Sequence, residues 1–159
     1  MKKLAFVLPF VFLLITNING QRWTVEKANT WYKQQGWLRG SNFQPSTAIN
    51  QLEMFQAETF DPNTIDKELG WAQELGFNVM RVYLHHLLWA SDKEGFKKRL
   101  DIYLRISSKH KIKTLFVIFD DCWNDTAWIG KQPEPKPGVH NSGWVHSRSG
   151  QVLSVYSSC

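Results

Sequence analysis

The chain has 159 residues, 43% of them hydrophobic and 14% aromatic, with eight tryptophans and a formal charge of +5. That composition is globular and excludes a disordered tail or a coiled coil. Two cysteines and no CxxC pair exclude a disulfide framework and a cysteine-held zinc ion.

The first twenty residues read as a secretory signal. Met1-Lys2-Lys3 precedes a charge-free run from Leu4 to Ile15, interrupted by Pro9, and the polar stretch Thr16 to Gly20 follows. The run is shorter than the roughly 20 apolar residues of a bilayer-spanning helix, and its order matches a cleaved leader. The cut is expected after Gly20, giving a secreted or periplasmic product with no membrane partner. It removes Lys2 and Lys3. The remaining basic groups, Lys97-Lys98-Arg99 and Lys109, Lys111 and Lys113, alternate with acidic and apolar residues. They read as a solvated helix face, so no nucleic-acid partner is expected.

Trp23 to Gln35 suits a short helix, punctuated by Gly36. Trp37 to Phe43 reads as a strand ended by Gln44-Pro45-Ser46. Thr47 to Phe60 is a connection long enough to carry function or a short structure of its own. Asp61 is placed to cap a helix with Pro62 in its first position. Ile65, Leu69, Ala72 and Leu75 form its apolar stripe, and Gly76 stops it. Asn78 to Leu84 follows as a second strand. Ser91 to Glu94 reads as a capping box opening a helix with Phe96, Leu100, Tyr103 and Leu104 on one face, ending near His110. Thr114 to Phe119 is an almost unbroken apolar strand, which predicts burial on both faces. Asp120 to Gly150 reads as loop, extended through the prolines of residues 131–138. The order β-α-β-α-β predicts an α/β fold with parallel strands. Two architectures fit: the opening of a (β/α)8 barrel, or a small open doubly wound sheet.

Both place chemistry at the carboxyl ends of the strands. Those ends carry Asn42, then His85-His86, then Asp120 to Asn124. Arg81 lies inside a strand and shares a face with Val79, Tyr83 and His85. A buried arginine needs a carboxylate; it either holds a catalytic carboxylate ionised or forms a structural ion pair. Asp120 and Asp121 are adjacent and point apart, so they are not the facing carboxylate pair of a glycosidase. The adjacent rings of His85 and His86 are expected to diverge, and no metal-binding spacing is present. Cys122 is expected to be a small buried residue. Trp37, Trp71 and Trp89 suit the core. Trp123, Trp128 and Trp144 lie in loop and suit either anchoring or stacking on sugar rings. His140 and His146 carry no assignment. No GxSxG, P-loop or GxGxxG occurs, and neither cofactor nor metal is expected.

Several ordered blocks carry a resemblance: the run from Trp37 to Phe55, then Phe60-Asp61-Pro62, then Gly76 to His85, then Phe119 to Trp123, then Lys131-Gln132-Pro133, then Pro137 to Trp144. Across Trp23 to Val145 the chain resembles the amino-terminal part of secreted bacterial cellulase-like glycoside hydrolases. These are of the family 5 type within clan A, often labelled β-1,4-xylanases or endoglucanases. The resemblance implies a (β/α)8 barrel of roughly 250 residues that hydrolyses β-1,4-linked polysaccharide such as xylan or cellulose with retention. It also implies two catalytic glutamates, one in an Asn-Glu pair ending strand four and one ending strand seven. No Asn-Glu pair occurs in this chain. What carries over is Arg81 and a supporting or substrate-binding set, Asn42, His85, Asp120 and Trp123. His86 replaces an expected acid and Phe55 an expected tryptophan. Residues 146–159 no longer resemble the family and are expected to be an unstructured tail, the mark of a truncation or a shifted frame. The expectation is therefore about three βα units in residues 21–145, inactive alone and prone to aggregate at an unpaired edge. The competing expectation is a complete, non-catalytic, glycan-binding α/β module.

Overall fold

The computed structural model describes residues 22–147; the predicted signal, residues 1–20, and residues 148–159 of the predicted tail lie outside the described residues. The chain divides after Gly36 into two compact units. In the first, α1 (Val25–Gln35) starts where the Thr24 side chain accepts a hydrogen bond from the Lys27 N–H at 3.2 Å, and Gly36, at φ 67°, stops it. Trp23 and Trp31 meet edge to face at 6.1 Å, with the Lys27 ammonium 4.6 Å from the Trp23 ring.

The second unit is built on three parallel strands in the order β1-β2-β3: β1 (Gly40–Asn42), β2 (Val79–Tyr83) and β3 (Lys113–Val117). The predicted first strand is shortened at its start by a side chain. The Asn78 amide donates to the Trp37 carbonyl (2.9 Å) and accepts from the Arg39 N–H (2.8 Å), so residues 37–39 are clamped before the ladder begins. Gly40 then crosses so close to β2 that a Cβ there would sit 1.7 Å from the Val79 carbonyl oxygen. Gly40→Ala must push β1 away, and overpacking of this kind costs about 2 kcal/mol. A urea melt of that variant checks the expectation; an unchanged midpoint would contradict it.

The helices follow the chain's own signals. Short α2 (Gln51–Phe55) occupies the predicted connection, with all five residues buried. In α3 (Pro62–Glu74) the Asp61 carboxylate accepts from the N–H groups of Asn63 and Thr64, both at 3.1 Å. Ile65, Leu69 and Ala72 are buried; Leu75 lies at the C-cap, beyond the last turn, and is exposed. Gly76, at φ 83°, closes α3 with paired bonds from the N–H groups of Gly76 and Phe77 to the Gln73 and Ala72 carbonyls. A further helix, α4 (His86–Ser91), was not expected, and it corrects the capping box. Ser91 ends α4, and Asp92 caps α5 (Lys93–Lys109) by accepting from the Gly95 N–H at 3.0 Å. On α5, Phe96 and Tyr103 are buried, Leu100 is partly so and Leu104 is exposed.

One face of the sheet carries the core, and among the described residues much of the other is exposed. Met80 and Val82 point into a core with Leu52, Phe55, Ile65 and Leu69, where Phe55 meets Phe96 and Tyr103 edge to face at 5.9 Å. Burial of each such side chain stabilises by about 1.5–3 kcal/mol. Asp66 on α3 is held by the Lys109 ammonium (2.7 Å) and His110 Nε2 (2.6 Å) at the end of α5, and both lower its pKa. The register places Asn42 beside Arg81 and Arg81 beside Leu115 on the opposite face. There the predicted two-sided burial of the third strand fails: Leu115 is 57% exposed and Phe119, just beyond β3, 78%. Among the described residues no helix packs on this face, and no strand pairs with the outer edge of β3.

The predicted core tryptophans are also on the surface. Trp37 is 80% exposed, and Trp71 and Trp89 are about half exposed. Each carries a cation over its ring: Arg39 on Trp37, Lys67 on Trp71, and Lys93 and Lys97 on Trp89. Among the described residues no helix is long and apolar enough to cross a membrane.

Candidate functional site

A cleft of about 320 Å³ opens at the carboxyl ends of β1 and β2. Asn42 and Tyr83 form its floor, and the Tyr83 hydroxyl reaches the Asn42 side-chain oxygen at 3.5 Å. Gln44 and Gln51 line one side and Trp144 another. Gln44 donates its amide to the Ala48 carbonyl (2.8 Å) and Gln51 donates to the Val145 carbonyl (2.5 Å). Their side-chain oxygens are thereby fixed as acceptors. Ser46, at the rim, is held through its N–H and hydroxyl by the Glu68 carboxylate. No aspartate, glutamate, lysine or arginine lines this cleft.

An aromatic row runs past the cleft. The Arg81 guanidinium lies 4.9 Å from the Tyr83 ring, Tyr83 lies 5.8 Å from Trp144, Trp144 meets Trp123 at 5.3 Å, and Trp123 meets His140 at 6.1 Å. Three of the predicted site residues, Asn42, Arg81 and Trp123, are thus brought to one region. The expected ion pair of Arg81 is not there. Its sheet face is uncovered, so the guanidinium keeps contact with water, and no carboxylate among the described residues lies within ion-pair distance of it. Trp123 and Trp144 pack against each other in a T-shaped contact.

The long loop from Asp120 to Ser147 forms the outer wall, and buried amides of α2 hold it. Asn50, fully buried, caps α2 by accepting from the Leu52 and Glu53 N–H groups, and donates to Gln132 Oε1 (2.9 Å) and the Gly143 carbonyl (3.0 Å). The Glu53 carboxylate accepts from the N–H groups of Gln132 (3.2 Å) and Ile49 (2.9 Å). Gln56 exchanges two bonds with the Gly130 main chain. The blocks around Asn50-Gln51-Leu52-Glu53 and Lys131-Gln132-Pro133 are the two halves of this network. Sequence reading gave Trp144 two readings and missed Tyr83, Gln44 and Gln51 as cleft residues. Tyr83 was legible from its period-two relation to Arg81.

His85 and Asp120 lie elsewhere. His85 is buried at the start of α4, where Nδ1 accepts from the Leu87 N–H at 3.2 Å. The neutral ring therefore carries its proton on Nε2, which has no hydrogen-bond partner among the described residues. Its ring stacks on His86 at 4.7 Å, so the two imidazoles converge instead of diverging. Burial, then charge on His86 and on His146, hold the His85 pKa down at about 4, against an opposing pull from the His146 main chain. His86 Nδ1 donates to the Ser147 carbonyl at 2.6 Å. His146, left unassigned by sequence, places Nδ1 3.3 Å from the Asp121 carboxylate. Asp120 serves through its main chain: its carbonyl accepts from the Ser147 N–H at 3.1 Å, and its N–H meets the Ser147 hydroxyl. His146 and Ser147, the last described residues, are held by these contacts. Cys122, at φ 83°, is exposed and not a buried filler. Among the described residues no group of three or more His, Cys, Asp or Glu side chains is placed to hold a metal ion. Comparison with protein-family models, with curated proteins and with solved structures finds no match for this chain.

Proposed function

We propose that the strand-end cleft binds an uncharged β-linked glycan, and that the sheet is the opening of a (β/α)8 barrel of the cellulase-like glycoside hydrolase type. The observation that carries the glycan reading is the cleft's lining: an indole and a phenol beside neutral amide and hydroxyl groups, with no ionised side chain. Sugar rings offer apolar C–H faces and neutral hydroxyls, and this lining complements both. The barrel reading is supported by the parallel order β1-β2-β3, by helices on one face only among the described residues, and by the exposed apolar residues of the other face. Secretion, proposed from the leader-like start of the sequence, suits a polymeric substrate.

Retaining hydrolysis needs two carboxyl groups roughly 5 Å apart across the glycosidic bond. The cleft holds neither, so the 159-residue chain is expected to bind without cleaving. Affinity electrophoresis through xylan or hydroxyethylcellulose tests the reading. The chain should be retarded and Trp144→Ala should run free, with no reducing sugar released. Equal mobility of both proteins, or turnover by this chain, would overturn it.

A further inference from the structure

We propose a second glycosyl-binding cleft in the loop, with Trp128 as its platform; this rests on the glycan reading of the first cleft. It has a volume of about 250 Å³, and its lining includes Asn124, Thr126, Trp128, Lys136 and Ser142. That is below the usual range for an independent small-molecule pocket, roughly 300–1,000 Å³. It suits one sugar unit of a chain anchored elsewhere.

Trp128 is fixed and open. Its indole N–H donates to the Lys131 carbonyl at 3.2 Å, and its own carbonyl accepts from the Gln132 amide at 2.9 Å. Gln132 is itself buried and bound by Asn50. The polar end of the indole is thus satisfied, while the residue stays 44% exposed. Trp37, Trp71 and Trp89 have a lysine or arginine over the ring; among the described residues none lies over Trp128. Thr126, Ser142 and Lys136 belong to the lining; the Thr126 hydroxyl donates to the Asp125 carboxylate at 3.3 Å, and the Ser142 hydroxyl accepts from the Lys136 N–H at 2.7 Å.

The two clefts share a wall. Ser142, Gly143 and Val145 face the loop cleft, while Trp144 faces the strand-end cleft. Asn50 and Gln51 pin this wall at the Gly143 and Val145 carbonyls. A glycan crossing the wall engages Trp144 on one side and Trp128 on the other. The second contact then acts at high effective concentration and is felt only by ligands long enough to reach it.

Calorimetric titration of the full chain with xylobiose and xylohexaose, and with the cello-oligosaccharides of the same lengths, tests this. Trp128→Ala should weaken the longer ligand roughly tenfold, the size of one lost stacking contact, and leave the disaccharide unchanged. Trp144→Ala should weaken both. Trp128→Phe, which keeps an aromatic face, should restore most of the affinity, and matching thermal melts exclude misfolding as the cause. Wild-type affinity for the longer ligand in Trp128→Ala, with Trp144→Ala impaired, overturns the second cleft and leaves the first standing. No binding by the unaltered chain overturns both.

Discussion

Asn50→Ala is expected to lower the unfolding free energy by about 3 kcal/mol, since it removes a helix cap and strands two buried partners. The cap serves the Leu52 and Glu53 N–H groups, and the stranded acceptors are Gln132 Oε1 and the Gly143 carbonyl. Because the same side chain ties the loop to α2, glycan retardation should be lost before global unfolding is complete. Urea melts followed by far-ultraviolet circular dichroism measure the stability. Hydrogen exchange at residues 124–145 measures the loop. Gln132→Ala removes the other half of the contact, so the double variant should cost less than the sum of the singles. A loss under about 1 kcal/mol in Asn50→Ala, the scale of an isolated cap, would show that the buried bonds to the loop contribute nothing.

The second large effect is acid sensitivity above pH 4. An unfolded imidazole takes up its proton near 6.5, whereas folded His85 resists until about 4. Between those values the unfolded state binds more protons, so stability that is complete above pH 6.5 is lost as the pH falls toward 4. Two and a half pKa units correspond to about 3 kcal/mol. His86 on the neighbouring ring and His146 from the loop are the titratable groups that act on it. The carboxylates of Asp61, Asp66 and Asp92, lowered from 3.8 by hydrogen bonds and cations, add their own losses only below that value. His85→Asn keeps a capping side chain and removes the titration. Its stability should be flat between pH 6.5 and 4, and an unchanged slope would contradict the assignment to His85.

The local grammar of the chain was legible where a single residue sets a single backbone group. Asp61, Pro62 and Gly76 bounded α3 as expected, and parallel strands followed from the alternation of apolar strands and helices. α4 was missed because His85, an unusual cap, stands where Ser or Asp signals a start. The tryptophans and Arg81 misled for one reason: burial was inferred from residue type, and an aromatic or a cation in a strand looks the same whether or not a second layer covers it. The unbroken run from Leu115 to Phe119 reports a strand suited to two-sided cover, while the described residues supply cover on one side. The cleft was half visible. Asn42, Arg81 and Trp123 could be placed from strand ends, but Gln44, Gln51 and the wall at Ser142 to Val145 depend on a loop folded back across 93 residues, from Asn50 to Gly143. No local period announces such a contact.

Nuclear magnetic resonance of the eight tryptophan indole N–H signals tests the central claim most directly, with xylohexaose added stepwise to the 15N-labelled chain. Saturable shifts are expected only at Trp144, Trp123 and Trp128, with Trp71 and Trp89 unmoved beneath their lysines. Shifts centred on Trp71 or Trp89, or none at any indole, would contradict it.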